Sequence, residues 1–298
     1  MKSQKRILIT GVTGFIGSHL ARELVQKGYH VIGITRSGNT KNISSILKKN
    51  NFELIQADLS EKCAFFPESV DVIIHAAAQP MRFGTEEDYR KNNVTASANV
   101  IEYARKAGVG KFIFLSSISV YGDVKEKTID ESTPINNPHS YGRTKLEVER
   151  LLEENKNNFA AVVLRLPGVV GKGAENAWLA AVLDSALKNR EIKIYGPKEK
   201  FNNVVHIADL CTLVEKIIES EAMGFEVVTL GCSGPMGIEN AVKLIVEKTK
   251  SKSKITEEKS GKNSFTISYV KATKLFGYEP MKLSDILEKY AAESSGKL

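Results

Sequence analysis

The hydrophobic residues in the first half of the chain follow two alternating patterns. Apolar residues three or four positions apart, which predict helices, occur at 17–27, 93–107 and 141–155. Short and almost continuously apolar runs stand between these segments, at 6–10, 31–35, 52–56, 72–75, 111–116 and 161–166. Such runs are typical of strands that are covered on both faces. The alternation predicts an α/β fold with a doubly wound parallel sheet.

A glycine-rich turn connects the first strand to the first helix. Residues 10–17 read TGVTGFIG, with the spacing G-x-x-G-x-x-G. The first glycine permits a tight turn, the second lets backbone N–H groups approach a pyrophosphate, and the third lets the helix pack on the strand. The helix N-terminus also favours an anion. The turn therefore predicts a Rossmann-type site for a nicotinamide dinucleotide, with contacts from Gly11, Gly14, Phe15, Ile16 and Gly17.

The residues after the second and third strands bear on which dinucleotide is bound. No carboxylate follows the second strand to accept from the ribose 2′-hydroxyl of NAD, and Arg36 and Ser37 stand there instead. Arg36 suits a 2′-phosphate and Ser37 adds a donor, so NADP is favoured over NAD. Alternatively, Arg36 stacks on the adenine or faces water. Asp58, with Leu59 beside it, is expected to accept from the adenine amino group, or alternatively to cap a following helix.

Tyr141 and Lys145 form a Y-x-x-x-K motif at the start of the helix 141–155. Residues four apart share a helix face. The ordinary pKa of a phenol, about 10, is too high for a base near neutrality. We expect the ammonium and an oxidised nicotinamide to lower the pKa, so that Tyr141 acts as general base or acid while Lys145 holds the nicotinamide ribose. Ser117, at the carboxyl end of the fifth strand, is predicted to bind the substrate oxygen.

Composition and charge narrow the class of protein. The 298 residues are 42% hydrophobic and 26% charged, which is ordinary for a globular protein. No apolar run approaches the ~20 residues that span a bilayer, and the N-terminal apolar run is too short for a signal peptide. We therefore expect a cytoplasmic protein without membrane contact. The chain has a net charge of +7, but its basic residues are not interleaved with aromatic residues along one face, so no nucleic-acid partner is expected. Neither a disulfide framework nor a metal site is predicted from the widely spaced Cys63, Cys211 and Cys232.

Beyond residue 167 the alternation becomes less regular. Further elements are predicted at 177–189, at 207–219 and within 264–290. We expect a dinucleotide-binding Rossmann domain at 1–167, with a return segment around 204–232. A smaller, discontinuous C-terminal α/β lobe at 168–298 is expected to bind the substrate.

Nine short motifs stand in a fixed order along most of the chain. They read TGVTGFIG (10–17), ADLS (57–60), HAAA (75–78), YRKNNV (89–94), LSSISVYG (115–122), YGRTK (141–145), LRLPGVVG (164–171), VVHIADL (204–210) and KATKLFGYEP (271–280). In this order they resemble the extended short-chain dehydrogenase/reductase family of NAD(P)-dependent nucleotide-sugar epimerases, dehydratases and reductases. The resemblance implies NADP or NAD as cofactor, a small-molecule substrate, expected to be a nucleotide sugar, and a homodimer formed through the helices 93–107 and 141–155.

The resemblance also implies roles for individual residues. It places the catalytic hydroxyl four residues before the tyrosine of V-Y-G, on Ser117 rather than on Ser116. It implies that Asn93 belongs to the active-site helix. Further cofactor contacts implied by the family are Ala76, Ala77, Ala78, Leu166 and Pro167, besides Tyr141 and Lys145. Candidates for the substrate site are Gln79, Ser117, Ser119, His139, Gly168 and His206, with a structural role as the alternative for His206.

Three departures from the family pattern bear on the substrate. Gly168 stands where epimerases carry an Asn that contacts the substrate diphosphate. The pair Asn202-Asn203 stands where many members carry a phosphate-binding Arg, although Lys172, Lys198 or Lys200 could substitute. The pair Ile118-Ser119 replaces the Asp-Glu of dehydratases, which argues against dehydration.

Three functions stay open at this point. The first is hydride transfer at a carbinol or keto carbon of a nucleotide sugar, by an epimerase that regenerates its cofactor or by a 4-keto reductase that consumes NADPH. The second is reduction or oxidation of a smaller ketone or alcohol, which the missing Asn and Arg suggest. The third is a non-catalytic dinucleotide-binding regulator, which the presence of both Tyr141 and Lys145 disfavours.

Overall fold

The computed structural model describes residues 5–62, 66–80, 84–175, 177–258 and 264–294. Cys63 lies outside the described residues. The strands are β1 (Arg6–Thr10), β2 (His30–Thr35), β3 (Phe52–Gln56), β4 (Val72–His75), β5 (Lys111–Ser117), β6 (Thr128–Ile129), β7 (Ala160–Leu166), β8 (Gly168–Val170), β9 (Ile192–Ile194), β10 (Lys200–Phe201), β11 (Val204–His206), β12 (Phe225–Thr229), β13 (Met236–Gly237), β14 (Ile255–Glu257) and β15 (Thr266–Ile267). The helices are α1 (Phe15–Gln26), α2 (Glu86–Tyr89), α3 (Ala96–Lys106), α4 (Ser140–Glu154), α5 (Trp178–Leu187), α6 (Ile207–Glu219), α7 (Ile238–Thr249), α8 (Val270–Phe276) and α9 (Leu283–Ser294).

Seven strands form the central sheet, in the order β12-β7-β5-β4-β1-β2-β3. The register is parallel between β1 and its neighbours β2 and β4, and again between β2 and β3 and between β4 and β5. The predicted doubly wound Rossmann-type sheet is thereby confirmed. The strand order changes direction between β1 and β4, and such a switch point opens a crevice at the carboxyl ends of the strands.

The helix predicted at 93–107 begins earlier than predicted. The chain becomes helical in α2, continues through a π-helical segment (Arg90–Thr95) and passes into α3. A capping box explains the early start, because Thr85 Oγ1 accepts from the Asp88 N–H and the Asp88 carboxylate accepts from the Thr85 N–H at 2.8 Å. The Thr-x-x-Asp spacing was therefore the missed signal.

The chain forms two compact units. Unit 1 comprises Met1–Asp123, Ile135–Arg165 and Val214–Val227, and unit 2 comprises Val124–Pro134, Leu166–Leu213 and Val228–Leu298. Each unit has its own core. Leu8, Ile73 and Phe112 are fully buried in the core of unit 1, and Val242, Ile286 and Leu287 are fully buried in that of unit 2.

Unit 2 contains short two-stranded pairings, β8 with β11, β9 with β14, β10 with β13 and β6 with β15. Across the described part of the chain, no helix combines the length and the apolar character that crossing a bilayer requires.

Candidate active site

The glycine turn after β1 is built by close contacts between backbones. Gly11 has φ +66°, and a Cβ at this position would stand 2.8 Å from the Cα of Ala77. A Cβ on Gly17 would stand 2.3 Å from the Gly11 carbonyl oxygen. Both contacts exclude any larger residue. Phe15 and Ile16 form the first turn of α1, and no side chain of the described residues caps that turn. Its N–H groups therefore suit an anionic ligand.

A cavity of about 260 Å³ lies at the carboxyl ends of β1 to β4, within unit 1. Nine residues predicted to bind the cofactor line it, namely Gly11, Gly14, Arg36, Ser37, Asp58, Leu59, Ala76, Ala77 and Ala78. Gln79, predicted for the substrate, lines the same cavity. The lining residues that the sequence analysis missed are Thr13, Ile34, Thr35, Ala57, Asn92 and Ala96. The sequence analysis predicted the strands at whose ends Ile34, Thr35 and Ala57 lie. It did not predict which side chains at those ends face a ligand, because that depends on the twist of the sheet.

Two charged groups occupy the rim of this cavity. The guanidinium of Arg36 is exposed and donates from Nη1 to Asn92 Oδ1 at 2.8 Å. Asp58 Oδ1 accepts from both N and Oγ of Ser60, at 2.9 and 2.8 Å. The backbone bond from Ser60 is the main cause of a lowered pKa for Asp58, and Arg36 adds to it. Asp58 therefore caps a turn. The described residues that follow it, up to 62, form no helix, so the alternative role as a helix cap is wrong there.

His75, at the end of β4, belongs to a buried hydrogen-bond chain rather than to the cavity surface. Its Nδ1 lies 2.7 Å from Thr10 Oγ1, and that hydroxyl accepts from the Ala77 N–H at 3.2 Å. Ser97 Oγ donates its own proton to the Asn93 carbonyl oxygen, so it accepts from His75 Nε2–H at 2.8 Å. In the neutral ring Nδ1 then accepts from the Thr10 hydroxyl. Burial lowers the pKa of His75 to about 3, with Lys145 adding to the shift. His75 is thus a neutral structural residue.

Asn93 joins the cofactor cavity to the helix that carries the Y-x-x-x-K motif. Its Oδ1 accepts from the Gln79 N–H at 2.7 Å, and its Nδ2 donates to Thr144 Oγ1 at 3.1 Å. Thr144 donates in turn to the Tyr141 carbonyl oxygen at 2.9 Å. Asn93 lies in the π-helical segment, and such segments occur frequently at functional sites. The residue therefore fixes the position of α4 relative to the loop after β4.

Tyr141 and Lys145 lie close together within unit 1. The Lys145 ammonium lies 5.9 Å from the centre of the Tyr141 ring and donates to the Leu115 carbonyl oxygen at 2.8 Å. Burial lowers the pKa of Lys145 to about 8. Burial also raises the pKa of the Tyr141 phenol to about 12, and Tyr89, whose ring lies 6.2 Å away, adds to the rise.

In the chain by itself the pKa of Tyr141 is thus raised rather than lowered. The predicted lowering, which includes the charge of an oxidised nicotinamide, stays a prediction. The loss of hydration on burial disfavours the phenolate. The ammonium of Lys145 makes its hydrogen bond to a carbonyl oxygen rather than to the phenol.

The two serines at the end of β5 differ in their surroundings. Ser116 is buried and donates to the carboxylate of Glu149, which also binds the guanidinium of Arg165 at 2.7 Å. Arg165 donates further to the Tyr121 hydroxyl at 2.9 Å. Ser117 is only half-buried. The Ser116 hydroxyl is thus engaged in a buried network, while Ser117 Oγ accepts from the Ser119 N–H of the following turn at 3.1 Å.

The other candidates for the substrate site fall in different places. Ser119 accepts from Ser117 Oγ at 3.1 Å, and His139 is the exposed residue that precedes α4. Gly168 lines a second cavity, formed within unit 2. Leu166 and Pro167 are also counted with unit 2, and Leu166 is buried.

His206 is a partnered residue in unit 2. Its Nδ1 accepts from the Ala208 N–H at 3.2 Å, so Nε2 carries the proton and faces Glu293 Oε2 at 3.4 Å. The ring is 1% exposed, and burial lowers its pKa against the opposing effect of Glu293. These bonds support the structural alternative. Among the described residues, no group of three or more His, Cys, Asp or Glu is placed to hold a metal ion.

Several known proteins are similar to this chain. The model of the NAD dependent epimerase/dehydratase family matches residues 7–231. An uncharacterized UDP-glucose epimerase of Bacillus subtilis (strain 168) is 29% identical over 294 residues, which cover 92% of this chain and 93% of that protein. A putative UDP-glucose 4-epimerase of Methanocaldococcus jannaschii is 32% identical over 216 residues, covering 68% and 70%. The crystal structure of UDP-glucuronic acid 4-epimerase from Bacillus cereus, in complex with UDP-glucuronic acid and NAD, matches with a TM-score of 0.84 at 25% identity, covering 98% and 100%.

Proposed function

Since this chain belongs to the NAD-dependent epimerase/dehydratase family of extended short-chain dehydrogenases/reductases and is an enzyme of that family, we propose that it epimerises a nucleotide sugar by reversible hydride transfer. The observation that carries the proposal is the placement of Tyr141 and Lys145 beside each other, in the same unit as the glycine-turn cavity. The relatives described as UDP-glucose epimerases support the choice of reaction.

Each catalytic residue has a separate task in this proposal. A bound nicotinamide dinucleotide supplies the acceptor and then the donor of the hydride. Tyr141 takes the proton of a sugar hydroxyl during oxidation and returns it during reduction. Lys145 favours the phenolate by its charge, and Ser117 donates to the sugar oxygen. Because burial sets the pKa of Tyr141 at about 12, we expect Tyr141 to act as a base only when the cofactor site is loaded.

The fit of the dinucleotide rests on the two backbone contacts of the glycine turn. The space that a Cβ on Gly11 or Gly17 would fill is taken by protein backbone, so α1 begins directly at the cavity. The 2′-hydroxyl or 2′-phosphate of the adenosine ribose would lie near Arg36 and Ser37, and the adenine near Asp58 and Leu59.

Arg36 favours a second candidate, a 4-keto reductase that consumes NADPH. The guanidinium lies at the rim of the cavity, where it is held by Asn92 and suits a 2′-phosphate. We propose NADP as the preferred cofactor on this ground. The Bacillus cereus epimerase, by contrast, was crystallised with NAD.

The substrate diphosphate needs anchors other than the usual Asn and Arg. Asn202 cannot replace the Arg, because its side chain is buried and bonded to the carbonyl oxygens of Cys232 and Ile267 and to the Ile267 N–H. We propose that Lys172, Lys198 or Lys200 of the same unit contributes the positive charge. Ile118 and Ser119 replace the acidic pair of dehydratases, so dehydration is not proposed.

We also propose a cytoplasmic homodimer that forms through α3 and α4. The exposed faces of these helices carry charges of both signs, among them Glu102, Lys106, Arg143 and Arg150. Such an interface would be polar, and analytical ultracentrifugation at low and high salt would test it.

Cofactor accounting separates the candidate reactions. The purified protein is incubated with UDP-, TDP-, GDP- and CDP-sugars and their 4-keto forms, and both NADPH absorbance and sugar configuration are followed. An epimerase interconverts two sugars without net change in NADPH, whereas a reductase consumes one NADPH for each keto sugar. Turnover of small ketones alone, with no nucleotide sugar accepted, would overturn both candidates.

A further inference from the structure

The helix α2 ends in a buried tyrosine that lies against the proposed acid–base residue. Tyr89 is the last residue of α2 and is 7% exposed. Its ring meets the ring of Tyr141 edge to face, with ring centres 6.2 Å apart and 67° between the ring planes. Aromatic pairs favour this arrangement, because the positive edge of one ring meets the negative face of the other. Both residues belong to unit 1, and the contact restrains the direction of the Tyr141 ring.

The direction of the Tyr141 phenol is not set by a hydrogen bond. Among the described residues, none makes a hydrogen bond with the Tyr141 hydroxyl. The ammonium of Lys145, 5.9 Å from the centre of the ring, donates to the Leu115 carbonyl oxygen instead. The phenol is therefore held by the groups that pack against its ring, and Tyr89 is one of them.

Two ion pairs also join the helical stretch around Tyr89 to α4. Arg143 lies 2.8 Å from Glu86, and Arg90 lies 3.3 Å from Glu147. The four side chains are between 39% and 67% exposed, and ion pairs that are exposed to water contribute little to stability. The buried ring of Tyr89, rather than these ion pairs, therefore determines how closely the stretch is held against the start of α4.

We propose that Tyr89 is a positioning residue, whose ring holds the Tyr141 phenol in the direction from which it reaches the sugar hydroxyl. The inference rests on the proposed function, because it assumes that Tyr141 is the acid–base group. At 7% exposure, Tyr89 has little access to a substrate, so it acts through Tyr141 rather than on the sugar. Displacement of a reacting group by about 1 Å lowers a rate by about 10²-fold, so a restraint on the phenol bears directly on turnover.

Steady-state kinetics of the full-length protein test this role in the wild type, Tyr89→Leu and Tyr89→Phe. The substrate is the sugar of the UDP, TDP, GDP and CDP series that the wild type converts. Active sites are counted by bound dinucleotide, so unfolded protein does not lower kcat. We expect Tyr89→Leu to lower kcat by about 10²-fold, while KM and the Kd of the cofactor change by less than about threefold. Tyr89→Phe keeps the ring and should retain kcat within about threefold of the wild type.

A second background separates positioning from a general structural role. Tyr141→Phe has no phenol to position, so adding Tyr89→Leu should lower its residual rate by less than about threefold. A structural role would lower the rate by the same factor in both backgrounds. Tyr103→Leu is the matched control, because it removes a tyrosine ring that stacks on Phe66 in the same unit, with ring centres 4.2 Å apart. It should leave kcat unchanged.

The outcomes separate this inference from the proposed function. Wild-type kcat in Tyr89→Leu, or equal losses in Tyr89→Leu and Tyr89→Phe, overturns the role of the ring, while turnover by the wild type would still support the proposed function. The same loss in both backgrounds overturns the role as well. Failure of the wild type to convert any of the nucleotide sugars would overturn the proposed function and this inference together. Tyr89→Met fills the space with a flexible chain and takes the place of Tyr89→Leu where that variant does not fold.

Discussion

Gly142 lies directly against Ser119, since a Cβ on Gly142 would stand 2.2 Å from the Ser119 carbonyl oxygen. Gly142 follows Tyr141 in the chain, and Ser119 stands two residues after Ser117. The contact therefore sets the start of α4 against the turn that holds the proposed hydroxyl donor. Gly122, with φ +68°, makes a similar approach on the same turn, where a Cβ would stand 2.0 Å from the Asn136 carbonyl oxygen.

Substitution Gly142→Ala should move Tyr141 away from its working position. The methyl group would force α4 and the turn at Ser119 apart, which we expect to cost about 1–3 kcal/mol of stability. A shift of this kind should lower kcat by about 10²-fold. Gly110→Ala is the control, because a Cβ there would stand 3.5 Å from the Asp71 carbonyl oxygen, an ordinary contact. Unchanged kcat and Tm in Gly142→Ala would contradict the tight approach.

Substitution Tyr141→Phe removes the proposed acid–base group and little else. Turnover should fall by about 10²- to 10⁴-fold, the usual contribution of a positioned acid–base group. The Kd of the cofactor, measured by fluorescence titration, should change by less than about threefold, because the phenol is one of many contacts. Tyr29→Phe removes only a surface hydroxyl that donates to Glu219, and should leave turnover unchanged. A Tyr141→Phe enzyme with wild-type turnover would remove the basis of the proposed mechanism.

Substitution Arg36→Asp should reverse the preference between the two dinucleotides. The aspartate can accept from the 2′-hydroxyl of NAD and repels the 2′-phosphate of NADP. We expect the ratio of the two Kd values to change by about 10²-fold or more in favour of NAD. Lys62→Ala, which removes a positive charge outside the cavity lining, is the control for overall charge. Wild-type protein that binds NAD more tightly than NADP would refute the role given to Arg36.

His75 should make the protein less stable in acid. Its pKa of about 3 in the folded chain lies below its value of 6.5 in an unfolded chain. Between these values the unfolded state binds more protons, so stability is fully present above about pH 6.5 and falls as the pH is lowered toward 3. The loss should be on the order of a few kcal/mol. Urea denaturation across this range should show a shallower decline for His75→Gln, and an identical pH slope would disprove the assignment.

The buried pair of Arg165 and Glu149 should respond differently to single and double substitution. Arg165→Met leaves the Glu149 carboxylate buried without its cation, and we expect a loss of about 3–5 kcal/mol in the free energy of unfolding. Arg165→Met combined with Glu149→Leu removes both charges and should recover much of this loss. The free energy of unfolding of each variant is measured by urea denaturation. Equal losses in the single and double variants would contradict this prediction, because they would show that the ion pair itself stabilises the fold.

The sequence predicted the fold more completely than it predicted the functional site. The strand limits of β3 and β4 and the whole of α6 agree with their predicted ranges, because continuous apolar runs and helical spacing reflect burial that is local along the chain. Glycine spacing and strand ends also indicated Gly11, Arg36 and Asp58, and these residues lie in one cavity. The sequence analysis missed that the helical stretch begins after Thr85, because a capping box is not accompanied by a periodic pattern of apolar residues.

The sequence alone determined the order of strands and helices, the glycine turn and the pairing of Tyr141 with Lys145 on one helix face. These features depend on residues that are near one another in the chain. Only the tertiary structure decided the link from Asn93 to Thr144, the direction of the Tyr141 pKa in the chain by itself and the buried pairing of Arg165 with Glu149. Each of these depends on which distant groups exclude water from an atom or bond to it, and that is set by packing between segments far apart in sequence.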